Sequence, residues 1–324
     1  MKDPYQREID YLRISVTDRC NLRCTYCMPA EGICPKGHDE ILTMEEIVRL
    51  VRIWTGAGVR RVRLTGGEPL VRRNVETLVA GLRALPGIET ITMTTNGILL
   101  APMAGALKKS GLDRVNVSLD TLDPGRYRQL TRCGDLDAVL AGIRAARAAG
   151  LVPVKLNVVA MKGVNDTEIG EFLRFAVEEQ LEVRFIELMP IGESSESLGS
   201  HYPISQVLEE ARSLYELREQ PRERAGPAVV YKLGDTGARL GVIGALSSHF
   251  CVYCNRMRLT ADGKLRPCLY AARETDVRRF LRGGADDERI LALYRQAVAE
   301  KPKGHCMQDE HYGRGDRGMS QIGG

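Results

Sequence analysis

The sequence of 324 residues lacks features that mark whole classes of protein. It has no uninterrupted apolar run of the roughly 18 residues that a membrane-spanning helix requires. Its first residues, MKDPYQREIDYLRISVT, contain no apolar segment of the kind found in secretion signals. These absences favour a cytoplasmic protein without membrane contact, in a compartment where cysteines stay reduced.

Common nucleotide-binding and metalloprotease motifs are absent as well. The chain has neither a P-loop nor a His-Glu-x-x-His motif. Its net charge of +4 is too small to predict nucleic-acid binding. With 44% hydrophobic and 27% charged residues, the composition is typical of a globular protein with one large domain and room for a smaller one.

Short β-branched runs alternate with helical segments up to about residue 190. The predicted strands cover residues 11–16, 61–65, 89–94, 113–119, 152–160 and 182–188. The predicted helices include residues 42–58, 135–150, 165–180 and 203–219. The first begins with Thr43 and Glu46 as a capping box, carries Ile47, Leu50 and Val51 on one apolar face, and contains Trp54 as a predicted core residue. Six strands separated by helices predict right-handed crossovers and a parallel sheet, either doubly wound or a partial barrel.

Unusual segments follow the strands. DRCNLRCTYC comes after the first strand, GGEP after the second, TNG after the third and LDT after the fourth. Chemistry at the carboxyl end of every strand is typical of barrel enzymes, although open sheets also bind ligands there. We therefore predict an α/β fold, with a partial (βα)6 barrel over residues 1–215 and a smaller C-terminal domain over residues 216–324.

Nine cysteines are present, and six of them form two closely spaced triplets. The triplets are Cys20, Cys24 and Cys27, and Cys251, Cys254 and Cys268. One interpretation is zinc, either shared by the triplets or completed in two sites by His249, His305 or His311. The other is two iron–sulfur cubanes, because three thiolates hold a cubane and leave one iron open. The remaining cysteines, Cys34, Cys133 and Cys306, are predicted to be ordinary thiols.

The first triplet, with Tyr26 before its last cysteine, resembles the motif of the radical S-adenosylmethionine (SAM) enzymes. The resemblance extends along the chain to the GTP cyclase family of molybdenum cofactor biosynthesis. It rests on LRISVTDRCNLRCTYCMP, VRLTGGEPLVRR, TTNG, VNVSLDT, RFIELMPIG, CNRMRLTADGKLRPCL and MSQIGG. The resemblance implies two 4Fe-4S clusters, with SAM on the open iron of the first and the guanine of GTP on that of the second.

The resemblance also implies roles for individual residues. The implied SAM contacts are Tyr26, Gly67, Ser118 and Met189. The implied GTP contacts are Arg13, Arg63, Thr94, Lys155, Arg184, Arg256, Met257 and Arg258. The closing Gly323 and Gly324 would ordinarily be a frayed terminus, but in this family the double glycine reaches into the active site.

Two of these assignments also have support from the residues themselves. Gly66 and Gly67 follow a strand, where a bare backbone allows either close approach of a ligand or a plain turn. The arginines on strands or beside cysteines collectively indicate an anion site, although any one of them alone would be assigned to the surface. Each charge-assisted hydrogen bond to a phosphate contributes about 1.5–3 kcal/mol.

The implied activity is a radical cyclisation of GTP, in which a deoxyadenosyl radical removes hydrogen from ribose C3′ and the carbon radical adds to guanine C8. The implied partners are an electron donor and the next pathway enzyme, a cyclic pyranopterin monophosphate synthase. The sequence does not fix the oligomeric state, and a homodimer is one alternative.

Two rival functions stay open on the sequence. A radical SAM peptide modifier with an auxiliary cluster usually has more C-terminal cysteines, whereas only Cys306 follows Cys268 here. A zinc-stabilised nucleotide- or nucleic-acid-binding module would contain zinc and no iron.

Overall fold

The computed structural model describes residues 1–191, 200–222, 226–248, 250–271, 273–305 and 317–323. The predictions made for His249, Cys306, His311 and Gly324 fall outside these residues.

Twelve strands in the described residues join into one sheet. They are β1 (Tyr11–Ser15), β2 (Arg61–Thr65), β3 (Thr90–Thr95), β4 (Arg114–Ser118), β5 (Lys155–Ala160), β6 (Glu182–Glu187), β7 (Leu217–Glu219), β8 (Val229–Leu233), β9 (Arg239–Ile243), β10 (Arg256–Leu259), β11 (Lys264–Arg266) and β12 (Thr275–Asp276). Their order in the sheet is β12-β11-β10-β1-β2-β3-β4-β5-β6-β9-β8-β7. The central eight, from β10 through β1–β6 to β9, are parallel, and antiparallel strands extend both ends.

Helices connect the strands. Those in the described ranges are α1 (Met44–Thr55), α2 (Val75–Arg83), α3 (Leu100–Lys109), α4 (Pro124–Thr131), α5 (Leu136–Ala148), α6 (Ile169–Glu178), α7 (Ile204–Leu214), α8 (Val277–Arg282), α9 (Asp287–Ala299) and α10 (Met319–Ile322). No helix among the described residues is long and apolar enough to cross a membrane.

The six predicted strands are present as β1 to β6, in sequential order and parallel, which confirms the partial barrel. Over the described residues the strand order has two ends, so this barrel is open rather than closed. Strands from the C-terminal part continue it on both sides, with β10 beside β1 and β9 beside β6. The sheet is therefore continuous across the predicted boundary at residues 215 and 216, and the division into domains stays a prediction.

Alternation along each strand separates the hydrophobic core from the barrel interior. On β1, Leu12 and Ile14 are fully buried in the core, whereas Arg13 between them points into a cavity. On β2, Arg63 faces the same cavity and Leu64 the core. Because successive side chains of a strand point to opposite faces, each strand contributes to both regions.

Helix α1 begins as predicted. Thr43 accepts a hydrogen bond from the backbone N–H of Glu46 (3.2 Å), and Glu46 accepts one from the N–H of Thr43 (2.7 Å), which forms a capping box. The predicted core residue Trp54 is fully buried and stacks on Tyr294 of α9 at 5.0 Å between ring centroids. The predicted apolar face is also buried and consists of Ile47, Leu50 and Val51.

The helix predicted over residues 203–219 is shorter in the structure. It ends at Leu214, and Tyr215 is already extended. Residues 217–219 form β7 instead, with Leu217 paired to Leu233 of β8. That part of the prediction is wrong because strand pairing at the edge of the sheet outweighs a local preference for helix.

Candidate functional site

Both cysteine triplets line one cavity of about 330 Å³ at the carboxyl ends of the parallel strands. This volume lies within the usual range for ligand sites. The sequence-predicted residues that line it are Arg13, Cys20, Cys24, Tyr26, Cys27, Arg63, Gly67, Thr94, Ser118, Arg184, Met189, Cys251, Cys254, Arg256, Arg258 and Cys268. Residues from both halves of the chain thus meet in a single site.

The two glycines after β2 pack against the loop that carries the first triplet. The N–H of Gly67 donates to the carbonyl of Thr17 (2.8 Å), and the N–H of Glu68 donates to that of Arg19 (2.8 Å). A Cβ at Gly67 would lie 2.4 Å from the Arg19 carbonyl oxygen, which is too close for any side chain. The glycines therefore allow the GGEP turn to support the cysteine loop while it also lines the cavity.

The first triplet lies in a buried environment beside carboxyl groups. Burial, together with the charge of Glu68, raises the pKa of Cys20 to about 11. Burial raises the pKa of Cys27 to about 12, with contributions from Cys20 and Asp120. Burial also raises the pKa of Glu68 to about 7, although this carboxyl accepts hydrogen bonds from Thr95 and from the N–H groups of Asn96 and Leu70.

Tyr26 is held in place from the end of β4. Its hydroxyl donates to Asp120 Oδ2 (2.6 Å), and Asp120 Oδ1 accepts from the N–H of Val159 (2.8 Å). Burial raises the pKa of Asp120 to about 6. The aromatic ring beside the first triplet is therefore fixed by two neighbouring strands.

The second triplet lies among cations. Against the effect of burial, the charges of Arg256 and Lys301 lower the pKa of Cys254 to about 6. The ammonium of Lys301 donates to the carbonyls of Arg256 (2.7 Å) and Pro267 (2.5 Å), which are close in sequence to two of the cysteines. Arg7 also supports this segment by donating to the carbonyl of Cys251 (2.8 Å).

Three cavity-lining arginines occupy matching positions on adjacent strands. Arg13 of β1 is the register partner of both Arg258 of β10 and Arg63 of β2. Burial, followed by the charge of Arg256, lowers the pKa of Arg258 to about 10. Because like charges side by side repel one another in a buried site, this row is suited to an anionic ligand.

Other predicted GTP residues have different surroundings. Arg63 donates to the hydroxyl of Thr94 (3.3 Å), so these two residues share one side of the cavity. Lys155 is almost fully buried and pairs with Glu182 (2.9 Å), which also pairs with Arg184 of the cavity wall. Met257 lies outside the cavity, since its side chain is fully buried in the hydrophobic core.

The donor chemistry of the triplets fits iron–sulfur clusters. Their six cysteines are free thiols rather than disulfides. In the ranges that the structure describes, no three His, Cys, Asp or Glu side chains are close enough together to hold one metal ion. Separate irons of a cubane each take one thiolate, so its ligands do not converge on a point as zinc ligands do.

The C-terminal segment reaches this site. The backbone of Ser320 in α10 lies close enough to the Cys27 thiol to oppose part of the rise in its pKa, and the carbonyl of Gly323 accepts from Arg258 (2.6 Å). Gly323 has φ +83°, and a Cβ there would lie 2.6 Å from Thr65 Oγ1 and 2.9 Å from Ser15 Cβ. Only glycine fits this conformation and this space.

The structure adds residues that the sequence did not predict for the site. Asn116 and Asn157 line the cavity, and the side-chain oxygen of Asn116 is buried with no hydrogen-bond partner among the described residues. Each lies two positions from a predicted residue on the same strand, so strand alternation would have found both. Lys301 carried no such signal, because it comes from a segment distant in sequence.

Comparisons with known proteins agree with this geometry. The sequence pattern of the Radical SAM superfamily matches residues 14–176, and that of Molybdenum Cofactor Synthesis C matches residues 181–307. A GTP 3',8-cyclase of Moorella thermoacetica is 53% identical over 325 aligned positions, and one of Heliobacterium modesticaldum is 51% identical over 327, with 100% of each chain covered in both cases. The structure of Streptococcus suis SuiB bound to S-adenosylmethionine has a similar fold, with a TM-score of 0.62 at 16% identity over 93% of this chain and 73% of that one. The chain therefore belongs to the GTP 3',8-cyclase family of the radical SAM superfamily.

Proposed function

We propose that this protein is a radical SAM GTP 3',8-cyclase. It converts GTP to (8S)-3′,8-cyclo-7,8-dihydroguanosine 5′-triphosphate, the first step of molybdenum cofactor biosynthesis. Membership of the family implies one 4Fe-4S cluster and SAM. When bound, they would supply a 5′-deoxyadenosyl radical that takes the hydrogen of ribose C3′. The C3′–C8 bond would then form at the expense of the C8=N7 π bond of guanine, and one electron from the one-electron donor, together with a proton at N7, would complete the product.

The observation that carries the proposal is the meeting of two cysteine triplets and a row of arginines in one cavity. A radical reaction on an anionic nucleotide requires a cluster site and an anion site next to each other. The protein contributes placement of the reactants and exclusion of water from a reactive intermediate.

The proposed roles follow the position of each residue. Cys20, Cys24 and Cys27 would hold the cluster that binds SAM, and Cys251, Cys254 and Cys268 a second 4Fe-4S cluster facing the guanine. Tyr26, Gly67, Ser118 and Met189 are the proposed SAM contacts. Arg13, Arg63, Thr94, Arg184, Arg256 and Arg258 are the proposed GTP contacts, and Lys155 acts on this site through Glu182 and Arg184. The proposed contribution of Met257 is packing beneath the two arginines beside it.

The tail is proposed to complete the site. Gly323 bonds Arg258 and lies against the ends of β1 and β2, which supports a role of the double glycine beside the substrate. The proposed partners are a one-electron donor and the cyclic pyranopterin monophosphate synthase that uses the product. A cytoplasmic location suits clusters that depend on reduced thiolates.

The test is anaerobic reconstitution followed by incubation with SAM, dithionite and GTP deuterated at C3′. We expect about eight irons per chain, 5′-deoxyadenosine that carries deuterium, and a cyclised nucleotide identified by mass spectrometry and NMR. Deuterium-free 5′-deoxyadenosine without a new nucleotide would refute the proposed substrate. A colourless protein that contains zinc would refute the chemistry as a whole.

A further inference from the structure

Arg317, just before α10, bridges two carboxylates of the C-terminal sheet edge. Its guanidinium donates to both oxygens of Asp262 (3.1 and 2.9 Å) and to Glu274 Oε2 (2.9 Å). Its Nε lies 2.9 Å from the other oxygen of Glu274. All of the guanidinium nitrogens are thus engaged, in the planar arrangement that arginine forms best.

Both carboxylates are also held in place by residues other than Arg317. Asp262 lies in the turn between β10 and β11, is 5% exposed, and accepts from the hydroxyl of Thr260 (2.5 Å). Although burial opposes ionisation, the hydrogen bonds from Arg317 and Thr260 keep the pKa of Asp262 below its ordinary value. Glu274, just before β12, also pairs with Arg266 of β11.

The helix that follows Arg317 cannot be stable by itself. α10 has four residues, and isolated helices shorter than about 12–15 residues are marginal in water. Yet the backbone of Ser320 in α10 lies close to the Cys27 thiol, and the carbonyl of Gly323, which follows α10, accepts a hydrogen bond from Arg258 (2.6 Å). A segment so short keeps these positions only if it is held from outside.

We propose that Arg317 is a positioning residue for the reaction: its bridge to Asp262 and Glu274 docks the C-terminal segment so that Gly323 reaches the substrate arginine Arg258. The bridge ties the tail to the hairpin β10–β11, which carries Arg258 and leads to Cys268. The β10–β11 hairpin therefore supports the C-terminal segment, Arg258 and the second triplet together. This inference rests on the proposed role of the tail in the cyclisation.

The experiment compares R317Q, R317K and D262N with the wild type in the reconstituted holoenzyme. Hydrogen–deuterium exchange is followed at the amides of residues 319–323, and GTP cyclisation is measured on the same samples. We expect R317Q to exchange on the order of tenfold faster and to lose on the order of tenfold in cyclisation, because the charge-assisted bonds to both carboxylates are gone. R317K should be intermediate, since a single ammonium cannot bridge both carboxylates equally well.

A matched control comes from another arginine that bridges two carboxylates. Arg218 pairs with Glu216 (2.9 Å) and Asp235 (3.0 Å) on the exposed edge strand β7, and R218Q should leave tail exchange and activity at wild-type values. The iron content and cluster spectra of R317Q should also be unchanged. R317Q combined with D262N should be no worse than R317Q alone, because the contact that D262N weakens is already lost in R317Q.

Wild-type tail exchange in both R317Q and D262N would overturn the proposal. A variant that lacks residues 323 and 324 separates this outcome from failure of the tail's proposed role. If that truncation keeps full activity, the tail is not needed, and the positioning role of Arg317 fails with it. If the truncation is inactive while R317Q behaves as wild type, only the docking by Arg317 is refuted.

Discussion

The two cysteine triplets have the same ligands but opposite electrostatic surroundings. The first is buried beside Glu68 and Asp120, and the pKa values of Cys20 and Cys27 are raised to about 11 and about 12. In the second, Arg256 and Lys301 overcome burial and lower the pKa of Cys254 to about 6. At neutral pH the first triplet therefore favours neutral thiols, whereas Cys254 of the second triplet favours the thiolate.

This difference relates each triplet to its proposed ligand. Thiols with a raised pKa ionise when a metal displaces their protons, so the first triplet stores no unpaired charge in a buried loop. The cations around the second triplet offset the thiolate and extend into the row of Arg13, Arg63 and Arg258. An anionic nucleotide is therefore better suited to the second triplet's side of the cavity.

The largest effect should come from replacing one cysteine of a triplet by alanine, in a separate variant for each triplet. C24A should lose about four of about eight irons and all cleavage of SAM, because the first cluster is gone. C254A should lose the same amount of iron and all GTP cyclisation, yet still release 5′-deoxyadenosine from SAM. Iron analysis and chromatography of both products distinguish the two variants.

The control for this pair is C34A, which removes an exposed thiol outside both triplets and should keep all the iron. The division of labour between the triplets is refuted if C254A cyclises GTP, or if C24A still cleaves SAM.

A second prediction concerns thiol reactivity in the metal-free chain at pH 7. Iodoacetamide should alkylate Cys254 on the order of 30- to 100-fold faster than Cys20, since thiolate fraction outweighs the lower nucleophilicity of a low-pKa thiol. The rate at Cys254 should rise with pH and level off above about pH 6, whereas that at Cys20 should keep rising to about pH 11. Peptide mass spectrometry across pH 5 to 9 follows both sites.

In this experiment R256Q serves as the matched variant. Removing that guanidinium should raise the pKa of Cys254 and bring the two rates closer together, while far-UV circular dichroism confirms an unchanged fold. Equal rates at Cys20 and Cys254 in the wild type would remove the contrast on which the comparison depends.

The sequence predicted those elements and site residues for which a local pattern or motif indicates a known structure or chemistry. The alternation of strands and helices gave β1 to β6, and the spacing of Thr43 and Glu46 gave the start of α1. Cysteine spacing and the family resemblance together gave sixteen predicted residues that line the cavity. Each of these features depends on residues close together in the chain or on a sequence motif, and both can be read directly from the sequence.

What the sequence could not give are contacts between distant segments. Strands β9 and β10 extend the barrel from residues whose pattern after position 190 is irregular, and their places beside β6 and β1 depend on pairing. The roles of Lys301 and Arg317 likewise depend on hydrogen bonds to carbonyls and carboxylates that lie 34 to 55 positions away in the chain. Met257 looked equivalent to its neighbours Arg256 and Arg258, but strand alternation turns it into the core.

The smallest expected effect concerns Glu68, whose charge adds to the contrast between the triplets. Burial raises its folded-state pKa to about 7 from an ordinary value of 4.5, so between these pH values the folded chain keeps a proton that the unfolded chain releases. The contribution of Glu68 to the free energy of unfolding should therefore fall as pH rises through this window, by roughly 1–3 kcal/mol. Urea titrations of the metal-free chain from pH 5 to 8 should show this fall in the difference between wild type and E68Q, because the contributions of Asp120 and Cys254 are common to both and cancel, with E219Q on the exposed strand β7 as the control. Parallel curves for wild type and E68Q would mean that Glu68 is ionised at neutral pH. A full negative charge would then lie beside Cys20, and the first triplet would be still less suited to an anion.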